Sequence, residues 1–461
     1  MEENQIKEVV DNIPEYDRFF TVDELKERSK KLAEEYPAVR REFVGESRNG
    51  EPLEALYIGE GDKTALLFAM PHPNEPIGSM TLDYLSEVLA RDEDLRKSLN
   101  FKFIIIKCID PDGTRLNEGW FAGPFTPLNY ASNFYRPPGH QQVEWTFPID
   151  YKDLHYDEPI KETEALMEIM EEEVPDFLYS LHNAGFGGAY FYLSGPSEPL
   201  YDKLREASTA MDIPLHLGEP EVPYAENLSD AIYKMIATVE TYDYMEKYTD
   251  ENPAEIINNG TGSTDYAKRL NEDVFSLVCE VPYFFDPKIG NYEESDVIRR
   301  EAVLDGVRLS EDMYAYLEEK YDNIESLLTH ESKFKETIDE YLRMMEQQHE
   351  SKRGWAEIND ELDAPATVSQ KFDNYVVTRF YRMLAYGMFI RMIGEQINRT
   401  NSPEETDELK KVKLEVETEL KRHDDILLGD LDYEVIPIRK LVGVQLRAGL
   451  ESLNYVNERN T

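Results

Sequence analysis

Short, uninterrupted apolar runs alternate with segments of helical spacing through the first 280 or so residues. The clearest runs cover residues 64–70, 101–109, 176–181 and 274–281, and residues 77–89 between the first two have helical spacing. Strands that are apolar on both sides are typical of sheets buried on both faces, and strands separated by helices form parallel sheets. The pattern predicts an α/β fold with a mixed, mostly parallel twisted sheet flanked by helices.

The strand pattern ends near residue 295, and the rest of the chain has helical spacing. The predicted helices cover residues 303–317, 333–346, 374–397, 405–422 and 436–453. A chain of 461 residues is long enough for two or three domains. We therefore predict a sheet-containing domain over residues 1–320, followed by an all-α C-terminal extension over residues 321–461.

The charge balance excludes several classes of partner. The chain has 49 basic and 94 acidic residues, which gives a net charge of −45. A field of that sign repels nucleic-acid phosphates and anionic lipid surfaces, so we expect no nucleic-acid partner and no membrane partner. The most apolar helical stretch, residues 375–393, contains three arginines, which favours a buried helix over a membrane span.

Cysteine usage and the N-terminus indicate the compartment. Cys108 and Cys279 are the two cysteines, and both lie in apolar runs, which excludes a disulfide scaffold. Residues 1–5 are polar and acidic and lack the apolar core of a signal peptide. We therefore expect a cytoplasmic protein. These features do not specify its oligomeric state.

Polar side chains follow four of the apolar runs, where each predicted strand ends. His72 and Glu75 follow the first run, Arg115 the second, His182 the third, and Glu280 ends the fourth. Ligands of open α/β sheets bind beyond the carboxyl ends of the strands. A single histidine in a loop is usually a surface residue, but several such groups at equivalent strand ends indicate one site.

Two histidines and one glutamate are a typical set of protein ligands for a catalytic zinc ion, with the fourth position open to water. We therefore expect His72, Glu75 and His182 to bind one Zn²⁺. Bound zinc lowers the pKa of its water toward about 7 and polarises a carbonyl group. A carboxylate that is not a ligand is then needed as the general base, and Glu280 fits this role. Arg115 is the candidate for stabilising the oxyanion.

Several motifs occur in the order expected of one enzyme family. They are a hairpin at residues 44–50, His-x-x-Glu at residues 72–75, Asp-Pro-Asp-Gly at residues 110–113, His182, and the segments 262–266 and 275–280. Together they make residues 17–286 resemble the zinc carboxypeptidases of peptidase family M14. The resemblance implies a zinc carboxypeptidase-like catalytic domain, with the same three zinc ligands, Glu280 as the catalytic glutamate and Arg115 as the active-site arginine.

The substrate pocket departs from the family pattern. The family holds the terminal carboxylate of its substrate with an Asn-Arg-Asn-Phe motif, and the nearest match is residues 131–134, where Ala131 and Ser132 replace the first Asn and the Arg. Asn133 matches, and Arg136 is the candidate substitute for the missing arginine. We expect both to bind substrate. They lie in a Pro-, Gly- and Asn-rich segment, residues 110–157, whose length is typical of a functional loop.

Three functions are compatible with these residues. The first is a metallocarboxypeptidase-like hydrolase, a metalloprotease that cleaves a peptide or peptide-like amide with a zinc-activated water. The second is an N-acyl amino acid deacylase or amidase of related fold, which needs the same zinc but a different pocket. The third is a non-catalytic binding protein with a vestigial metal site. Loss of a ligand or of Glu280 would have favoured the third, and all four residues are present. The expected partner is a peptide or small amide substrate.

Overall fold

The computed structural model describes residues 3–249, 251–399 and 402–459. In this part of the chain, a nine-stranded sheet is covered by helices on both faces, and a helical region follows it, which confirms the predicted fold class. None of the described helices is both long enough and apolar enough to cross a membrane.

The described strands, numbered along the chain, include short two-stranded pairs as well as the main sheet. They are β1 (Val39–Glu46), β2 (Pro52–Ile58), β3 (Lys63–Ala69), β4 (Phe101–Ile106), β5 (Ile149–Tyr151), β6 (Leu154–Tyr156), β7 (Phe177–His182), β8 (Tyr190–Leu193), β9 (Asn227–Ser229), β10 (Ile232–Lys234), β11 (Phe275–Glu280), β12 (Phe284–Phe285), β13 (Glu294–Ile298), β14 (Pro365–Thr367) and β15 (Glu434–Val435).

The described α-helices are numbered in the same way. They are α1 (Glu3–Asp11), α2 (Val22–Glu35), α3 (Ile77–Arg91), α4 (Glu93–Leu99), α5 (Pro111–Asn117), α6 (Pro127–Asn133), α7 (Lys161–Glu173), α8 (Glu198–Thr209), α9 (Thr238–Tyr248), α10 (Pro253–Ile256), α11 (Ser263–Leu270), α12 (Arg299–Ile324), α13 (Lys333–Ile358), α14 (Val368–Phe372), α15 (Thr378–Arg399), α16 (Pro403–Asp430) and α17 (Ile438–Glu458).

The order of strands in the main sheet is β1-β2-β4-β3-β7-β11-β8-β10-β9. Its centre is parallel, because β3 pairs in parallel with β4 and β7, and β7 pairs in parallel with β11. The outer pairs β1–β2 and β9–β10 are antiparallel. The carboxyl ends of β3, β4, β7 and β11 therefore meet at one edge of the sheet, as the parallel arrangement requires.

The uninterrupted apolar runs are explained by burial on both faces. Along β3, Leu67 points to a core shared with helices α3, α8 and α17, whereas its neighbours Leu66 and Phe68 point to a second core with α7 and α11. All three side chains are at most 1% exposed. Burying a side chain of this size contributes about 1.5–3 kcal/mol, so both faces of the central strands stabilise the sheet.

The helical region starts before residue 320 and ends against the sheet. Helix α12 begins at Arg299 and passes through the predicted boundary without a break. In the last helix, α17, Gln445 Nε2 donates a hydrogen bond of 2.7 Å to the carbonyl of His182, and its own carbonyl accepts one of 2.9 Å from Tyr179. The division into two domains at residue 320 stays a prediction, but α17 packs on the sheet with α3 and α8.

Candidate active site

The first two predicted metal ligands lie in a tight turn after β3. The strand ends at Ala69, and the backbone reverses at Met70, whose φ of 57° lies in the left-handed region. The amide of Glu75 then donates to the carbonyl of His72 at 3.1 Å, which holds both side chains on one side of the turn. Both residues are buried, with 6% of His72 and 2% of Glu75 exposed.

His182, the last residue of β7, completes a triangle with these two residues. Its Nδ1 lies 3.1 Å from His72 Nδ1 and 3.1 Å from Glu75 Oε2, and His72 Nδ1 lies 3.2 Å from Glu75 Oε1. Four-coordinate zinc with bonds of about 2.0–2.1 Å to nitrogen and oxygen needs ligand atoms about 3.3 Å apart. The triangle therefore fits a zinc ion. Among the described residues, it is the cluster of three or more His, Cys, Asp or Glu side chains whose ligand atoms lie close enough together to hold a metal.

The protonation of the triangle also suits a metal. Burial, with the positive charge of Arg136 adding to it, lowers the pKa of His72 to about 3, which favours the neutral imidazole that a metal requires. Burial opposes the ionisation of Glu75, but its contacts with His72 and His182 outweigh burial and hold the pKa of Glu75 well below its usual range. An anionic carboxylate beside a neutral imidazole suits the binding of zinc.

A chain of hydrogen bonds orients His182. Its Nε2 lies 2.8 Å from Ser180 Oγ, and Ser180 Oγ donates to Glu144 Oε2 at 3.2 Å. Glu144 also accepts hydrogen bonds from the backbone amide of Ser263 at 3.1 Å and from its hydroxyl. Because Ser180 donates to Glu144, it accepts from His182 Nε2–H, which leaves Nδ1 unprotonated and facing the other two ligands.

Glu280 ends β11, next to β7, and pairs in register with His182. It is 8% exposed, and its Oε2 has no hydrogen-bond partner in the described residues. Burial raises its pKa well above the usual range, and the charges of Glu75 and Glu221 add to the effect. A buried carboxyl group with a raised pKa is suited to accepting and returning a proton near neutral pH.

Arg136 joins this group in a cavity of about 230 Å³. Its Nη1 lies 3.5 Å from Glu75 Oε1, and its Nε donates to Gln142 at 3.2 Å. Helix α13 supports it from outside, because Thr337 Oγ1 donates to the Arg136 carbonyl at 3.2 Å. Arg136 is therefore the arginine that the structure places beside the metal triangle. The apolar part of the cavity wall includes Phe134, Trp145, Met235, Ile236, Val278 and Leu384.

Arg115 does not lie in the cavity, contrary to the sequence-based expectation. Its Nη2 donates to Asp23 at 2.7 Å and its Nε to Glu51 at 3.2 Å. The physical reason is local: Asp110 caps helix α5 through the amide of Gly113, and the helix then turns residue 115 toward α2 rather than toward the sheet edge.

Asn133 is not in the cavity either. It lies at the end of α6, where its Nδ2 donates at 3.0 Å to the backbone carbonyl and at 3.0 Å to the side chain of Asn129. Ser132, on the same helix, is exposed. Residues 131–133 of α6 do not line the cavity, whereas Tyr130 of the same helix does, and Phe134 and Arg136 line it after the helix ends.

The cavity also contains residues that sequence reasoning missed. Tyr381 and Leu384 of α15 line it, and Tyr381 OH accepts a hydrogen bond of 3.1 Å from the amide of Gly185. Glu221 and Glu144 line it as well. Glu144 lies in the long segment that was predicted to be functional, but no sequence pattern marks Tyr381 or Glu221.

Comparison with known proteins gives one family. The family model described as zinc carboxypeptidase matches residues 25–287, more than half of the chain, a range that contains the metal triangle and Glu280. No curated protein matches the chain.

Three solved structures illustrate the structural matches. Carboxypeptidase A from Helicoverpa armigera is 14% identical, with a TM-score of 0.38 over 77% of this chain and 80% of that one. Thrombin activatable fibrinolysis inhibitor is 15% identical, with a TM-score of 0.37 over 57% of this chain and 68% of that one. A metallo-carboxypeptidase from Burkholderia cenocepacia is 15% identical, with a TM-score of 0.34 over 57% and 60%.

Proposed function

The chain belongs to the zinc carboxypeptidase family, and on that basis we propose that it is a zinc-dependent hydrolase of a peptide or peptide-like amide bond. The observation that carries this proposal is the triangle of His72, Glu75 and His182 in one buried cavity with Glu280. A vestigial site would have no need to keep a non-ligand carboxylate beside three ligands. An enzymatic function is therefore favoured over a non-catalytic binding function.

The metal would be held by His72 Nδ1, a carboxylate oxygen of Glu75 and His182 Nδ1. A zinc ion bound there would supply Lewis acidity toward the scissile carbonyl and would acidify a water molecule. The chain's own contribution is to fix the three ligands, through the turn after β3 and through Ser180 behind His182.

Glu280 is the proposed general base and acid. Its unpartnered Oε2 takes a proton from the attacking water and later gives it to the leaving nitrogen. The raised pKa suits both directions of transfer, because a strongly acidic carboxyl group would not hold the proton between the two steps.

Arg136 is the proposed anchor for a negative group of the substrate. A guanidinium group can bind a carboxylate through two parallel hydrogen bonds. Arg115 is paired with Asp23 and Glu51 outside the cavity, whereas Arg136 lies beside Glu75. Arg136 is therefore the positively charged side chain that a substrate carboxylate would meet near the metal triangle. This arrangement supports a substrate that has a carboxylate near the scissile bond.

A second candidate function, an N-acyl amino acid deacylase or amidase, is favoured by one observation. Helix α15 adds Tyr381 and Leu384 to the wall of a cavity of about 230 Å³, a size that favours a small substrate. The chemistry at Glu280 would be the same for both functions, and the difference lies in which substrate occupies the cavity.

The experiment is a hydrolysis screen of the purified protein, zinc-loaded and chelator-treated, against dipeptides, N-acyl amino acids and cell-wall peptides. We expect at least one class to be cleaved by the zinc form, with activity lost on chelation and restored by zinc. Stoichiometric zinc without hydrolysis of any class would contradict the proposal.

A further inference from the structure

Glu221 is a carboxylate on the cavity wall to which the proposed reaction assigns no role. Its Oε1 accepts a hydrogen bond of 2.6 Å from Tyr190 OH, and its Oε2 accepts one of 2.9 Å from Tyr192 OH. Both tyrosine side chains are buried. Two donors from the same strand, β8, therefore fix the orientation of this carboxylate.

The sheet register places these tyrosines beside the catalytic edge. In the antiparallel pair of β8 and β11, Tyr190 lies opposite Glu280 and Tyr192 lies opposite Val278. Side chains of directly opposed residues share one face of a sheet. The carboxylate of Glu221 is thus held on the face of the sheet that also presents Glu280 to the cavity.

The loop that carries Glu221 is fastened by the helical region. Arg299 donates to both carboxylate oxygens of Glu219, at 2.9 and 2.5 Å, and the amide of Glu219 donates to Asp373 Oδ2 at 2.9 Å. Ser369 Oγ donates to the carbonyl of Leu217 at 2.7 Å. Three residues after position 298 therefore hold this loop, and their contacts fix the position of Glu221 relative to the cavity.

Acidic residues without a basic partner are common in a chain with a net charge of −45. The lack of a basic partner is therefore not, by itself, evidence of a binding site. The surroundings of Glu221 distinguish it. In the described part of the chain, its hydrogen-bond donors are the two tyrosine hydroxyls, and no cationic side chain forms an ion pair with it. Two other residues of the cavity wall, Asn74 and Asn183, each have a buried polar atom without a hydrogen-bond partner, as does Glu280. The cavity wall is therefore rich in polar groups.

We propose that Glu221, together with the rings of Tyr192 and Tyr381, binds a cationic group of the substrate, such as a lysine or arginine side chain or a free amine. This inference rests on the proposed hydrolase function and names its substrate class. A carboxylate gives a charge-assisted hydrogen bond to an ammonium or guanidinium group, and aromatic faces attract the same cations. Arg136 and Glu221 would then receive the negative and the positive group of one small substrate.

The kinetic test compares matched substrates that carry lysine or norleucine at each residue flanking the scissile bond. These side chains have similar length and differ in charge. We expect the wild-type protein to prefer lysine in kcat/KM, and Glu221→Gln to reduce the lysine-to-norleucine ratio by about ten- to a hundredfold. The control is Glu226→Gln, an exposed residue of the same segment that pairs with Lys234 and does not line the cavity. It should leave the ratio unchanged.

A binding measurement separates this inference from the proposed catalysis. Calorimetric titration of the zinc-loaded protein with L-lysine and with L-norleucine needs no turnover. We expect lysine to bind at least tenfold more tightly, and the difference to disappear in Glu221→Gln and to persist in Glu226→Gln. An unchanged lysine-to-norleucine ratio in Glu221→Gln, or no binding of lysine at millimolar concentration, would overturn the inference. Lysine selectivity in a protein that hydrolyses nothing would instead contradict only the proposed hydrolysis.

Discussion

The Nδ1 atoms of His72 and His182 lie 3.1 Å apart, although 110 positions separate the two residues in the chain. Both residues lie at the carboxyl edge of the sheet, in the turn after β3 and at the end of β7, which pair in parallel over five residues. Two ring nitrogens with free lone pairs repel each other at this distance unless a proton or a cation lies between them. The proposed zinc ion, bound by both nitrogens, would remove this repulsion.

The first prediction concerns metal binding. We expect His72→Ala and His182→Ala each to remove most of the zinc found by elemental analysis, because each leaves two ligands of the triangle. Chelation should also lower the melting temperature of the wild-type protein, since an ion that binds only the folded state stabilises it. Full zinc occupancy in both variants would contradict the ligand assignment.

A second prediction tests the orientation of His182. Ser180→Ala removes the acceptor for His182 Nε2. Loss of such a supporting contact typically lowers metal affinity by ten- to a hundredfold, and we expect the zinc affinity of this variant to fall by about that factor. Competition with a chelator measures it. Ser276→Ala is the matched control, because Ser276 is a buried serine of the neighbouring strand whose Oγ has no partner. Equal zinc affinities in the two variants would exclude the positioning role of Ser180.

The third prediction assigns the substrate anchor to Arg136. Arg136→Ala should lower kcat/KM for a substrate with a free carboxylate by about ten- to a hundredfold relative to the matched amide, because a charge-assisted contact is lost. Arg115→Gln is the control, since Arg115 is paired outside the cavity and a surface ion pair contributes only about 0–1 kcal/mol. A loss of carboxylate preference in Arg115→Gln but not in Arg136→Ala would contradict the assignment of the anchor to Arg136.

The fourth prediction concerns the docking of helix α15 against α6. A Cβ at Gly387 would lie 1.7 Å from the carbonyl oxygen of Ala131, whereas a Cβ at Gly394 of the same helix would have only an ordinary contact, 3.9 Å from Lys413 Cε. We expect Gly387→Ala to lower the free energy of unfolding by about 1–3 kcal/mol or more through overpacking. Gly394→Ala should raise it by up to about 1 kcal/mol through helix propensity. Equal melting temperatures for the two variants would show that the helix is not packed as described.

The strand-end residues were predictable from sequence because their placement follows from short-range patterns. A buried parallel strand has a recognisable apolar run, and the residue after it is brought to the sheet edge by the topology alone. His72, Glu75, His182 and Glu280 are all positioned in this way. That rule needs no knowledge of how the rest of the chain folds.

The remaining site residues could not be predicted by that rule. Arg115 follows a strand, but helix α5, which begins at Pro111 after β4 ends at Ile106, turns it away from the edge. The approach of Arg136 depends on the length of α6, and Tyr381 contacts Gly185 across 196 positions of sequence. Such contacts depend on tertiary packing, which no local pattern in a single sequence encodes.

The most direct test of the proposed hydrolysis is Glu280→Gln, measured for zinc content and kcat/KM in the same preparation. Glu280 is not a ligand in the proposed triangle, so the variant should keep one zinc ion per chain. Turnover should fall by about 10²–10⁴-fold, the usual contribution of a general base. A zinc-loaded Glu280→Gln protein with near-normal kcat/KM would contradict the account, and a hundredfold or greater loss with full zinc would support it.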